Sequence, residues 1–187
     1  MPEVRPLGLD GVLEIIPKKF ADARGFFSET YSAREFADAG IGFTFVQDNH
    51  SYSAARGVLR GLHFQLPPFA QDKLVRVVCG SIFDVVVDIR KGSPTFGHWV
   101  GIPISAEQWN QVLIPKGYAH GFVTLEPETE VLYKVTAPYT PSYERVIRFD
   151  DPEIGIHWPV PAHEIQLSNK DRNVPALVEI ETGFEHQ

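Results

Sequence analysis

The sequence has a single cysteine and a single methionine in 187 residues, and no stretch that approaches the roughly 20 apolar residues needed to span a bilayer. One thiol, Cys79, cannot close an intrachain disulfide; inside an apolar run it reads as a small buried hydrophobe. The opening residues, MPEVRPLGLDG, lack the apolar core of a secretory signal, so a cytoplasmic location is expected. Positive charge is also scarce. Seventeen basic against twenty-four acidic residues leave a net charge of −7, which excludes general binding to nucleic acid or anionic membranes but not a local basic pocket. What the chain does have is aromatic surface, with 13 Phe, 6 Tyr and 3 Trp available for a core or a flat ligand. A hydrophobic fraction of 43 % and a charged fraction of 22 % are those of a globular chain, here expected to form one domain over 1–187.

Helix signals are as sparse as cysteines. Ser32 and Glu35 make a capping box ahead of Phe36 and Ala37, and Gly40 marks the stop. Elsewhere short β-rich runs follow one another: Val12 to Ile16, Phe43 to Val46, Val58 to Gln65, Leu74 to Cys79 and Ile82 to Ile89, then His98 to Ile102, Gln111 to Ile114, Gly121 to Leu125 and Glu130 to Thr136. Gly80, Lys91-Gly92-Ser93-Pro94, Pro115-Lys116-Gly117 and Pro127 punctuate them. This pattern predicts an all-β sandwich, jelly roll or barrel with few short helices. The proline-bearing segment from about residue 150 is expected to wrap the β body.

Several polar residues sit where strands should be. Alternation in Ser81 to Arg90 places Asp84 and Asp88 on one face with Ile82 and Val86, so they are either paired in an interior or on a face open to water. Arg60 and His63, three apart, would point to opposite faces of a regular strand, but Gly61 between them can host a bulge. Tyr133 shares a face with Val131 and Val135 and should point inward with a hydroxyl needing a partner. Pro115 to Gly117 followed by His120 is similar to the second metal motif of cupins, yet the stretch around His63 supplies one histidine where a His-x-His pair is wanted, so no metal is expected.

Taken in order, Asp22 to Glu29, Gln47 to Gln65, Lys73 to Val77, Phe83 to Arg90, Gly92 to Gly97 and Ala119 to Phe122 resemble the dTDP-4-dehydrorhamnose 3,5-epimerase family. Glu130 to Lys134, Asp151 to Pro159 and Ser168 to Asp171 continue the likeness, which runs from about Arg5 to Pro175. The resemblance implies a cupin-like jelly roll, active as a homodimer without cofactor or metal. It also implies proton removal beside a C4 ketone and its return to the opposite face, at C3 and C5 of a dTDP-4-keto-6-deoxy sugar. By the same resemblance His63 is the base, Asp171 its carboxylate partner, Tyr133 the proton donor and Lys73 the cation at the ketone. Arg24, Glu29, Gln47, Asn49, Arg60, His120, Glu144 and Lys170 match nucleotide-sugar contacts, and Tyr139 matches an aromatic position that stacks on thymine. Part of each pocket in that family comes from the partner's N-terminal strand. Asp72 departs from the pattern, standing where many relatives have Gly, and could alter the charge around Lys73. Alternatives in view are an epimerase acting at one carbon, a metal-dependent cupin and a non-catalytic nucleotide-sugar-binding barrel.

Overall fold

Alternation with a period of two gives each strand an inner and an outer face, and the apolar residues on both must be covered. The protein, described over residues 1–186 by a computed structural model, answers with two packed sheets. The first has the order β1 (Glu3–Pro6), β2 (Leu13–Ile16), β10 (Gln111–Ile114), β7 (Lys73–Cys79), β12 (Thr129–Val135) and β5 (Gln47–Ser53). The second has the order β13 (Glu144–Val146), β6 (Val58–Gln65), β11 (Tyr118–Thr124), β8 (Ser81–Asp88) and β9 (Trp99–Ser105), with β14 (Gln166–Leu167) parallel to β6. A separate hairpin joins β3 (Phe20–Asp22) to β4 (Gly25–Phe27). This is the expected all-β, cupin-like jelly roll.

Between the sheets lies a core of Val75, Val77, Val112, Ile114 and Val131 from the first and Ile82, Val86, Ile104, Tyr118 and Phe122 from the second. The outer face of the first sheet carries Ile15, Leu74 and Leu113, covered by Phe36 of α1 (Ala33–Asp38), Ile41, Tyr31, Phe43 and Phe45. Ser32 caps α1 as expected, its Oγ accepting from the Glu35 amide at 3.5 Å. The Glu35 carboxylate turns instead to the amino terminus. The outer face of the second sheet is covered by the tail, through Ile154, Leu177, Trp158, Ile180 and Phe184 over one patch and Val160, Ile165 and Leu167 over another. Wrapping by the segment after residue 150 thus follows from the two-sided apolarity of β6, β8 and β11.

Two expectations need correction, and Asp72 finds a role. Residues 43–46 are not a strand: Phe43 and Phe45 spend their rings on the outer face of the first sheet, and the strand begins only at Gln47. Cys79 is exposed rather than buried, because it lies at the end of β7. Asp72 has a structural place: its buried carboxylate accepts from the Lys116 amide at 2.9 Å and the Thr136 hydroxyl at 2.8 Å, tying the start of β7 to two neighbouring segments.

Asp84 and Asp88 are both buried at 0 % exposure, so the water-facing alternative for this strand is overturned. Asp88 is paired structurally: it accepts from Arg90 Nη2 at 2.8 Å, Ser93 Oγ at 2.6 Å and Thr95 Oγ1 at 2.7 Å. Burial alone would raise its pKa, but the hydrogen bonds from Arg90, Ser93 and Thr95 outweigh that and hold it down to about 2. The folded-state value lies below that of an unfolded Asp, near 3.9. Its contribution to stability is therefore complete above about pH 4 and is lost as pH falls towards 2. Asp88→Asn is expected to cost about 3 kcal/mol, because Arg90 loses its buried counter-charge. Urea unfolding at pH 7 checks this, and a loss below about 1 kcal/mol would show that the network is dispensable.

Candidate active site

A cavity of about 350 Å³ opens between the two sheets, lined by residues that both contribute. From the first sheet come Gln47, Asn49 and Ser51 of β5, Lys73 of β7 and Tyr133 of β12. From the second come Arg60 and His63 of β6, His120 and Phe122 of β11 and Glu144 of β13. Gln71, Tyr139, Ser168, Lys170 and Asp171 close it from loops and a 3-10 turn.

The bulge at Gly61 has the consequence expected of it. His63 pairs with His120 while Arg60 pairs with Phe122, so β6 spends three residues where β11 spends two. Leu59 and Leu62 therefore face outward and Arg60 and His63 both face the cavity. Gly61 has φ of 132°, and a Cβ there would come within 2.5 Å of the Gly121 Cα, so no other residue fits.

His63 Nε2 lies 2.5 Å from Asp171 Oδ1. Asp171 is itself held by Ser168, whose hydroxyl donates to Oδ2 at 2.7 Å, in a turn capped by the same serine. Burial would raise the Asp171 pKa, but hydrogen bonds from His63 and Ser168 outweigh it and hold the group below the usual carboxylate range. Asp171 is thus an anion at neutral pH, able to orient the imidazole and to stabilise an imidazolium.

Tyr133 reaches in from the opposite sheet beside Val131, and its hydroxyl makes no hydrogen bond to the described residues. A core tyrosine would have found a partner. Burial raises its pKa, with Arg60 opposing, so the phenol stays protonated and available as a donor. Lys73 is 8 % exposed and its ammonium donates to the His63 carbonyl at 3.3 Å. Burial lowers its pKa to about 8, against attraction from Asp84 and Glu144.

The cavity mouth is polar. Glu144 Oε2 accepts from Lys170 Nζ at 2.5 Å and from the Tyr139 hydroxyl at 2.9 Å, and Lys170 lies 5.7 Å from the Tyr139 ring centre. Gln47 accepts from the Tyr139 amide at 3.1 Å and donates to Asn49 at 2.8 Å, so the half-exposed Tyr139 ring is positioned from two sides. Arg60 donates to the Tyr52 carbonyl at 3.1 Å, leaving its buried Nε without a partner beside Ser51, whose Oγ is likewise unpaired.

Of the residues expected at the site, His63, Asp171, Tyr133, Lys73, Gln47, Asn49, Arg60, His120, Tyr139, Glu144 and Lys170 meet in this cavity. Arg24 and Glu29 do not. Arg24 sits at the tip of the β3–β4 hairpin, paired with Asp22 at 2.6 Å, and Glu29 follows β4 on the same excursion. Within one chain neither lines the cavity; the hairpin lies against Trp109 through Phe26, with Phe20, Phe26 and Phe27 still largely exposed. Residues not singled out by the sequence reading are Ser51, Gln71, Phe122 and Ser168. Alternation carried on from Gln47 and Asn49 would have found Ser51, and alternation from His120 would have found Phe122. Gln71 and Ser168 come from irregular segments with no periodic signal. Among the described residues, no three His, Cys, Asp or Glu side chains converge closely enough to hold a metal ion.

Comparison with known proteins agrees with this geometry. Residues 6–179 match the family model described as dTDP-4-dehydrorhamnose 3,5-epimerase. A dTDP-4-dehydrorhamnose 3,5-epimerase of Sinorhizobium fredii is 48 % identical over 184 residues, covering 96 % of this chain and 92 % of the relative. The crystal structure of the Legionella pneumophila 3,5-epimerase in complex with dTDP-4-keto-L-rhamnose superimposes with a TM-score of 0.94 at 43 % identity, covering all of both chains. A 3'-monoepimerase from Streptomyces bikiniensis in complex with dTDP-quinovose is more distant, with a TM-score of 0.86 at 36 % identity, covering 92 % of this chain and 87 % of that one. With sequence, fold and the residues of one cavity in agreement, the chain belongs to the dTDP-4-dehydrorhamnose 3,5-epimerase family.

Proposed function

We propose that this cavity converts dTDP-4-dehydro-6-deoxy-D-glucose to dTDP-4-dehydro-L-rhamnose by epimerising C3 and C5. The observation that carries the reading is the opposition of two proton-transfer groups from facing sheets: the His63–Asp171 pair on one side and the free Tyr133 hydroxyl on the other. Inversion requires such a pair, because a proton removed from one face of a carbon must be returned to the other. His63 removes the proton beside the C4 ketone, and Asp171 stabilises the imidazolium that forms. Lys73 meets the developing enolate oxygen as a buried cation, where a low dielectric makes it most effective. Tyr133 delivers the proton to the opposite face. Arg60 holds the diphosphate with its unpaired Nε, and Tyr139 stacks on the thymine.

We read the chain as a single domain that works as a homodimer in which Arg24 and Glu29 complete the partner's cavity. The exposed β3–β4 hairpin, with Phe20, Phe26 and Phe27 open to solvent, supports this, since such aromatics need a partner surface. The exposed free thiol of Cys79 suits a reducing, cytoplasmic compartment, and no helix among the described residues is long and apolar enough to cross a membrane.

The test is incubation with dTDP-4-dehydro-6-deoxy-D-glucose in deuterium oxide, followed by NMR of the sugar. Deuterium at both C3 and C5 with inverted configuration is expected. Label and inversion at one carbon would instead place the chain with the mono-epimerases, and no label at all would remove the enzymatic reading.

A further inference from the structure

Two carboxylates share the inner face of β8, and they are treated differently. Asp88 has both oxygens saturated by Arg90, Ser93 and Thr95. Asp84, equally buried, accepts one hydrogen bond, from His120 Nε2 to Oδ2 at 2.7 Å. Its Oδ1 is buried with no partner among the described residues. A carboxylate kept only to hold strands together would be satisfied as Asp88 is; an open oxygen beneath a cavity is costly and needs another reason.

The reason lies on the other side of the barrel. Lys73 enters from the first sheet as a desolvated ammonium whose hydrogen bond within the chain is to the His63 carbonyl. The ionisable groups around it are Asp84 from β8, Glu144 from β13, His63 from β6, His120 from β11, Tyr133 from β12, and Asp171 and Lys170 from the 3-10 turn. Among these, Glu144 is already committed to Lys170 and Tyr139, and Asp171 to His63 and Ser168. Asp84 is the carboxylate with an oxygen to spare.

From this geometry, and resting on the epimerase reading, we infer that Asp84 is a positioning residue for the reaction: its buried charge keeps Lys73 an ammonium and locks His120 as the neutral Nε2–H tautomer. His120 then turns Nδ1, an acceptor, towards a sugar hydroxyl, while Lys73 alone presents a cation to the ketone. The division matters because two cations side by side under the sugar would repel each other and weaken the one at the enolate oxygen. Burial lowers the His120 pKa in spite of Asp84, which agrees with a neutral ring. Attraction by Asp84 is the leading influence opposing the desolvation of Lys73.

The test compares the natural chain with Asp84→Asn, which keeps shape and removes charge. In protein labelled with ¹³C at lysine Cε, the Lys73 signal, assigned by its loss in Lys73→Arg, is expected to titrate near pH 8. In D84N the midpoint should fall by about one pH unit, a roughly tenfold loss of the protonated form above it. The basic limb of the deuterium-exchange rate should move by the same amount, with kcat falling and KM little changed, because Asp84 does not line the cavity. Should D84N fail to fold, ¹⁵N-imidazole spectra of the natural chain still decide: a neutral Nε2–H ring at His120 at pH 7 supports the role, and an imidazolium or Nδ1–H ring overturns it. An unchanged Lys73 midpoint in folded D84N, beside normal exchange in the natural chain, overturns the role of Asp84 alone. Absence of exchange in the natural chain overturns the epimerase reading, and the reaction role of Asp84 with it.

Discussion

His63→Asn is expected to lower both deuterium incorporation and product formation by roughly 10³-fold, the range associated with losing a positioned general base. Asn is too short to reach Asp171 from the place of Nε2, but Asp171 keeps its two hydrogen bonds with Ser168, so the 168–171 turn stays held and the fold should persist. Asn has no lone pair of useful basicity, so the proton beside the ketone has nowhere to go. Because abstraction precedes everything else, exchange at C3 and C5 should fall together, with KM moving far less than kcat. The measurement is exchange rate by NMR alongside circular dichroism of the variant. Exchange at the natural rate in a folded His63→Asn protein would assign the base to another residue, and Tyr133 would then be the first to re-examine.

Tyr133→Phe should separate the two halves of the reaction. In the proposed reaction the phenol supplies the proton to the face opposite His63; it makes no hydrogen bond to the described residues, so removing it leaves no buried partner orphaned and little stability is at stake. Abstraction by His63 still forms the enolate, stabilised by Lys73. The proton, or a deuteron exchanged from solvent onto the imidazole, can then return only to the face it left. Deuterium uptake with retained configuration is the expected signature, with inverted product reduced by roughly 10²-fold or more. Its buried phenol, with a pKa pushed upward, keeps this donor protonated across neutral pH, so any loss of inversion in the natural enzyme at high pH should set in first with Lys73, near 8. If uptake and inversion in Tyr133→Phe fall in parallel, Tyr133 positions the substrate instead of protonating it.

These two residues also show how far the sequence could be read. Tyr133 was legible as inward-facing because Val131 and Val135 flank it at a period of two, and nothing beyond alternation was needed. His63 and Arg60 were harder: their spacing puts them on opposite faces unless Gly61 breaks the register, and only the pairing of β6 with β11 shows that it does. The carboxylates of β8 divide in the same way. Alternation put Asp84 and Asp88 on one face, but whether that face met water or a core depended on which strands of the other sheet lay above it. The run 43–46 has strand-forming residues and yet is not a strand, since its rings are worth more covering Leu74 and Leu113 than joining a sheet edge.

The sequence by itself determined the all-β class, the cap at Ser32, the inner and outer faces of most strands and, through a collinear series of motifs, the family. These are local or additive properties: period, turn residues and residue identity in order. Tertiary structure alone decided that His63 meets Asp171 across 108 positions, that Asp84 retains an unpaired oxygen while Asp88 does not, and that Arg24 and Glu29 stand outside their own chain's cavity. Those facts depend on which segments the sheets bring face to face, and on whether a buried charge finds a partner there. No local pattern encodes either, because hydrogen-bond satisfaction and desolvation are set by atoms distant in the chain.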